Sequence, residues 1–219
     1  MVASKVFRWL LQYEVSKAII FYQLINLKNM KKVFLLLVAI SISIATSAQT
    51  RWAVDPLHTF VSFSVRHMGI SFVEGSFKKF DGTVVATKPD LTDARINFTV
   101  DVNSISTNVE QRDTHLKSDD FFNVATYPNM TFESLSFKKR KGNDYELTGK
   151  LTIRDVTREV TFKVTFGGTT KDPQGNTRAG FSAFTTINRL DYHIKYDPTG
   201  GGVGKDVTIS LNLEFIQAK

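Results

Sequence analysis

From Trp52 to Phe215 the chain alternates apolar and polar residues with a period of two. That period fits an extended backbone with one dry and one wet face, and it does not fit a helix. In the clearest stretch Ala94, Ile96, Phe98, Val100 and Val102 face one way, and Arg95, Asn97, Thr99 and Asp101 the other. The pattern recurs within His58–Arg66, Phe77–Val85, Met130–Lys138, Tyr145–Ile153, Val160–Phe166, Arg178–Ile187 and Val207–Phe215, with a short piece between Gly69 and Gly75. Connections at Lys141–Asn143, Asp155–Thr157 and Asp172–Asn176 are short or carry turn residues, so neighbouring strands pair antiparallel. The expected fold is all-β, about eight strands with one short helical insertion. Such a set stacks as a sandwich or closes into a barrel. Closure is expected because the strands are long, joined mainly by hairpins, and closing leaves no exposed edge. A sandwich fills its interior, whereas an eight-stranded barrel can hold one ligand.

The inward faces are rich in aromatic residues: fifteen of the 18 phenylalanines lie beyond residue 49. Read by strand, the residues assigned to the interior are Phe63 and Val65, then Phe77 and Phe80, then Phe98 and Val100. Phe132, Leu151, Ile153, Phe162, Val164, Phe181, Leu211 and Leu213 continue the set, and Phe166 shares the face of Phe162. Taken singly, each reads as core. Taken together, large rigid rings around a barrel can leave a tunnel where aliphatic chains would collapse.

Thr107–Met130, TNVEQRDTHLKSDDFFNVATYPNM, is the one long interruption of the alternation. Thr107 and Glu110 have capping-box spacing, which predicts a helix starting there. Asp113 and Lys117 are four apart in the favourable order. Val109 and Leu116 share a face that would dock, and Arg112, His115 and Asp119 fall on another. Ser118, Asp119 and Asp120 open a second turn bearing Phe121 and Phe122, which Tyr127-Pro128 stops.

Met30–Ala48, MKKVFLLLVAISISIATSA, has two lysines, an apolar run and small residues before Gln49, the pattern of a secretory signal cleaved after Ala48. A membrane anchor would need about 20 apolar residues, and this run is shorter. Residues 1–29 read as an upstream extension, with Met30 as the natural start; an amphipathic surface helix over Val15–Leu27 is the competing reading. Six of the 28 basic residues and one of the 21 acidic ones precede residue 49, leaving 22 against 20 and a net charge of +2 for residues 49–219. That near-neutral domain has no footprint for nucleic acid. With no cysteine in the chain, disulfides and thiolate chemistry are excluded.

Four histidines, His58, His67, His115 and His193, show no metal-binding spacing, so no metal site is expected. The run Gly200–Lys205 superficially suggests phosphate binding but leads into a strand. Asp113, His115, Asp119 and Asp120 leave three readings open: a solvated helix with paired charges, an acid–base centre of a small hydrolase or isomerase, and, with Arg112, a polar grip on a ligand head at a barrel mouth.

The order Trp52-x-x-Asp55-x-x-His58-Thr59-x-Val61-x-Phe63-x-Val65-Arg66-His67, then Gly75-x-Phe77-x-x-Phe80-x-Gly82, resembles the start of the YceI-like family of polyisoprenoid-binding, lipocalin-like exported proteins. Ser106-Thr107 through Arg112-Asp113-x-His115-Leu116-Lys117-Ser118-x-Asp120-Phe121-Phe122 and Tyr127-Pro128 is similar to its central motif. Gly149-x-Leu151-Thr152-Ile153, Val156-Thr157-Arg158, Ile187-Asn188-Arg189-x-Asp191-Tyr192 and the Gly204–Ile209 return complete the likeness, which departs at Arg154 and Asp155, where a histidine or glycine would also fit. The resemblance implies a lipocalin-like eight-stranded antiparallel barrel over residues 49–219. It implies a long-chain isoprenoid, of the isoprenoid quinone or polyprenyl phosphate type, or a similar amphiphilic lipid held inside, and export to the periplasm or beyond. No catalytic residue and no cofactor other than bound lipid comes with it; Arg112, Asp113 and His115 carry over only as residues near the barrel mouth. Transient membrane contact and a homodimer are both compatible with the sequence.

Overall fold

The computed structural model describes residues 13–14, 16–23 and 49–218. The first two groups are helical and exposed. The leader at 30–48, its cleavage site and most of the 1–29 extension lie outside the described residues.

Ala48–Lys219 forms a unit by itself. Among its described residues are eleven strands: β1 (Thr50–Val54), β2 (Phe60–His67), β3 (Ser71–Phe77), β4 (Phe80–Ala86), β5 (Arg95–Asp101), β6 (Ile105–Ser106), β7 (Asn129–Lys139), β8 (Asp144–Ile153), β9 (Val156–Lys171), β10 (Thr177–Asn188) and β11 (Val203–Gln217). The segments reduce to eight staves. β11 pairs with β1 through Val54↔Phe215 and with β2 through Val61↔Leu211, so β1 and β2 are one stave interrupted at 55–59. β3 and β4 are a second, interrupted at 78–79, and β5 and β6 a third, interrupted by a turn at Val102–Ser104. The ring β1-β4-β5-β7-β8-β9-β10-β11 returns to β1, every pairing antiparallel. The expected closed eight-stranded barrel is therefore what the chain forms. β9 runs farther than its apolar alternation, because past the bulge at Gly167 the residues Gly168–Lys171 pair onward with β10.

Register sorts the loops between two ends. The β2–β3 turn at Met68–Ile70, the insertion after β6, the Arg154–Asp155 turn and the 189–202 segment share one end. Residues 87–94, 140–143 and 172–176 share the other. Buried Trp52, Ala86, Leu91 and Tyr145 pack in the core at that second end, where Tyr145 stacks on Phe137 at 4.6 Å and donates to Asp90 O at 3.2 Å. Aromatic mass closes this end.

The insertion contains α1 (Glu110–Lys117), but its start differs from the expected capping box. Val109 is the N-cap and offers no side-chain bond, while Thr107 is buried and donates from its amide and its hydroxyl to Asp113 Oδ1, at 2.8 and 2.5 Å. The carboxylate that reaches back is thus Asp113, because Asn108 takes a left-handed conformation (φ 61°) and delays the helix. Val109 is exposed, and the docking face is carried by Leu116, which packs beside Val61, Phe77 and Val102.

Candidate functional site

Inside the staves lies an apolar cavity of about 200 Å³. Its wall extends from Leu91, Ala94 and Phe137 at the aromatic end to Val65, Val203 and Leu116 at the insertion end. Of the 34 residues bordering it, only Ser62, Thr131 and Arg189 are polar, so the bore offers almost nothing to a hydrogen-bonding solute.

Thirteen of the fourteen residues assigned from sequence to the interior border this cavity: Phe63, Val65, Phe77, Phe98, Val100, Phe132, Leu151, Ile153, Phe162, Val164, Phe181, Leu211 and Leu213. Phe80 does not, because its ring stacks on Phe98 at 5.7 Å.

What keeps so many rings from filling the bore is a set of glycine seats. Gly75 lies opposite Phe63 and Gly82 opposite Phe98 in the ladder, and Gly149 is the diagonal neighbour of Phe132. A Cβ built at any of the three would come within 2.6 Å of its ring, well inside the 3.4 Å where ordinary contact begins. Each ring therefore lies flat across a neighbouring strand, where any other residue would force it inward. Glycine at an inward position opposite phenylalanine was the available sequence signal.

Arg112, Asp113 and His115 do not border the bore. Arg112 and Asp113 are consumed by the turn: Arg112 Nε donates to Thr107 Oγ1 at 2.7 Å and its Nη2 to Thr107 O at 3.0 Å, completing the grip that Asp113 begins. His115 is exposed, with Nε2 2.9 Å from Asp120 Oδ2 and its ring edge-on to Phe121 and Tyr196. The arrangement braces the insertion against the 189–202 segment. A second surface pair, His193 and Asp155 at 3.1 Å, lies beside Arg154, which donates to the carbonyls of Phe121 and His193.

The charged group that does meet the bore is Arg189, only 3 % exposed. Its five N–H donors meet five carbonyls: Gly204 at 2.8 Å, Ile194 at 2.9 Å, Tyr196 at 2.5 Å, Asp197 at 2.8 Å and Val203 at 2.7 Å. Burial pulls its pKa down from the usual arginine value, opposed by the charge of Asp197. The Asp197 carboxylate accepts from Thr199 Oγ1 and the amides of Val203 and Gly202, which hold it well below the usual carboxylate range. The glycine-rich loop thus gives its amides to its own aspartate, and its carbonyls to Arg189.

The break in the first stave is pinned differently. Arg178 donates to Asp55 Oδ2 at 2.6 Å, Glu214 Oε1 at 2.5 Å and Asp172 Oδ2 at 2.8 Å, and His58 Nδ1 lies 2.8 Å from Asp55. Ligand atoms of Asp55, His58 and Glu214 fall within 4.8 Å of one another, yet the guanidinium already occupies the place a metal cation would take. Tyr192 Oη is buried without a partner among the described residues, and burial pushes its pKa up to about 12.

The model of the YceI-like domain matches residues 52–215. A UPF0312 protein of Pectobacterium atrosepticum is 37 % identical over 194 residues, covering 87 % of this chain and all of the relative. Protein YceI of Escherichia coli is 40 % identical over 162 residues, 74 % of this chain and 83 % of its own. Among solved structures, Burkholderia cenocepacia BcnA superposes with a TM-score of 0.67 at 27 % identity, covering 74 % of this chain and 98 % of that one. A polyisoprenoid binding domain from Saccharophagus degradans, implicated in plant cell wall breakdown, shares the fold with a TM-score of 0.61 at 15 % identity, covering 76 % and 98 %.

Proposed function

The chain belongs to the YceI-like family, and from that premise we propose that it is a non-enzymatic carrier for a long-chain amphiphilic lipid, most simply a polyisoprenoid, whose tail lies in the bore. The supporting observation is the bore itself: a wall with three polar members among 34, reaching from the aromatic end to the insertion end. The Saccharophagus degradans domain of the same fold binds polyisoprenoid, which agrees with that wall. Each buried methylene contributes about 0.8 kcal/mol, against roughly 4–15 kcal/mol lost in association, so a tail of about twenty carbons offsets even the upper figure. Phe63, Phe98, Phe132 and Phe181 each retain accessible surface, and for an inward ring that surface is bore wall. The head would be an isoprenoid quinone or polyprenyl phosphate type, and the compartment the periplasm or beyond, reached by cleavage near Ala48.

Recovering the protein from the periplasmic or culture fraction without detergent, extracting it with solvent and weighing the extract by mass spectrometry tests this reading. One polyprenyl lipid per barrel is expected. Only trace lipid in undisturbed protein removes the proposal. The rival reading, acid–base catalysis at His115, has its histidine–carboxylate pair in His115 and Asp120, but on the exposed face of the insertion, where neither residue borders the bore.

A further inference from the structure

The turn between β2 and β3 exposes three large apolar side chains within five residues: Met68 at 62 %, Ile70 at 86 % and Phe72 at 60 %. Nothing in folding calls for them. Met68 adopts φ 51° and Gly69 φ 75°, a turn that asparagine or glycine would make with less strain at its first position. A methionine there, followed by the most exposed of the large apolar residues described, is a feature with a cost in solubility and no packing return.

Two basic side chains stand beside this tip. Arg66 lies under Phe72, with its guanidinium carbon 5.0 Å from the ring centroid, and donates to Gly69 O at 3.0 Å. Met68 N donates to Gly202 O at 2.8 Å, which brings the glycine-rich loop alongside, and Lys205 folds its side chain back along Gly200. The paired segments 66–72 and 198–205 hold Arg66, His67 and Lys205; of the acidic residues beside them, Asp197 gives its carboxylate to Thr199 Oγ1 and the amides of Gly202 and Val203, Asp206 follows Lys205 in the bulge opposite Arg66, and Glu74 lies two residues beyond Phe72. The same strands carry Val65, Val203 and Val207 of the bore wall, so the tip stands at that end of the bore.

We propose that this tip docks on a phospholipid surface bearing anionic lipid, with Met68, Ile70 and Phe72 entering the interfacial region and Arg66 and Lys205 meeting the phosphates. Apolar side chains backed by basic ones are what such a surface retains, and both components are present. A second copy of the chain fits less well. Three side chains fall far short of the roughly 800 Å² per partner of a stable interface, and a two-fold contact would set Arg66 and Lys205 against their own kind. That the docking serves lipid transfer rests on the carrier reading; the docking itself does not.

Vesicle flotation of the full chain tests it, with wild type and variants sharing the same N-terminal residues. Wild type should float with vesicles of phosphatidylcholine and phosphatidylglycerol more than with phosphatidylcholine alone. Replacing Ile70 and Phe72 together by serine should lower the partition coefficient at least about tenfold, and Arg66→Gln with Lys205→Gln should remove the preference for the anionic vesicles. These positions are exposed, so thermal midpoints should stay put; an unchanged midpoint with lost flotation is the supporting result. Equal flotation of wild type and the Ile70/Phe72 variant overturns the proposal, as does wild type that floats with neither vesicle. A tip-dependent dimer by light scattering, without flotation, reassigns the surface to self-association. Failure of the carrier reading looks different: flotation persists while the extracted protein yields no lipid.

Discussion

Replacing Gly82 by alanine tests whether the glycine seats hold the bore open. The added methyl would lie within 2.6 Å of Phe98 Cε2, and Phe98 is stacked on Phe80 on one side, so the ring has the bore as its free direction. Overpacking of this kind costs about 1–3 kcal/mol, against a gain of about 0.5–1 kcal/mol from replacing glycine within a strand. Gly180 separates the two effects, because it also sits in a strand and a Cβ there meets nothing within 4 Å. Gly180→Ala reports the backbone gain alone. The two variants should differ by about 1–3 kcal/mol in urea unfolding, or roughly 2–12 °C in thermal midpoint for a domain of this size. Lipid recovered with the Gly82→Ala protein should fall, because the ring is driven into the tail's space. Adding Phe98→Leu should restore room, so the double mutant should be more stable than the sum of the single changes by about 0.5–3 kcal/mol. Equal stability of Gly82→Ala and Gly180→Ala with undiminished lipid, or strict additivity in the cycle, refutes the reasoning.

Arg189→Lys replaces five fixed donors by three, leaving at least two of the five carbonyls unpaired; at about 1–3 kcal/mol each the loss is roughly 2–6 kcal/mol, and a urea midpoint close to wild type would show that water replaces the guanidinium. Acid should unfold the barrel through the Arg178 cluster. The Arg178 hydrogen bond, outweighing burial and helped by Asn176, lowers Asp172 from 3.8 to about 2; burial pushes Asp55 up, but bonds from His58, Arg178 and Leu57 outweigh it and leave it at about 2. Both folded values lie below the unfolded one, so this stability is present above about pH 4 and fades as pH falls toward 2. Asp172→Asn should flatten the loss between those pH values, and an unaltered slope counts against the assignment. His115→Ala should keep its lipid and lose about 1 kcal/mol, the worth of its contacts with Phe121 and Tyr196; loss of lipid would restore His115 to the binding site.

The closed sheet was legible because period-two alternation survives wherever one strand face is dry, as from Ala94 to Val102. It faltered where the barrel's requirements are not those of burial. The stave breaks at 55–59 and 78–79 are set by Thr59, which exchanges hydrogen bonds with the Glu214 backbone, and by Ser104, which accepts from Lys78 and Lys79. The capping box failed because Thr-x-x-Glu spacing cannot tell which carboxylate a left-handed Asn108 will bring round. Arg112 reads as available at a mouth because its spacing puts it on a face with His115, and Asp113 because the family resemblance carries it there; neither signal shows the turn that consumes them. Arg189 stands in the family resemblance without a role for the converse reason: its partners are main-chain carbonyls of an irregular segment, which carry no residue code.

The bore also has an energetic signature. A cavity of about 200 Å³, at about 24 cal/mol per Å³, forgoes roughly 5 kcal/mol, a large share of the roughly 5–15 kcal/mol that holds a typical domain together. A sequence free to fill that space would gain by doing so. Ala183 is such an opportunity: buried in β10 opposite Leu211 and Val164, it borders the cavity with its single methyl group. Ala183→Ile adds three carbons to the wall, and at about 0.8 kcal/mol each the protein should become more stable by up to about 2 kcal/mol while carrying less lipid. Stability and cargo should move in opposite directions, which is the mark of a cavity kept for use. If the larger residue destabilises the barrel and lipid content holds, the space beside Ala183 is packing slack and the bore is not the place where the tail lies.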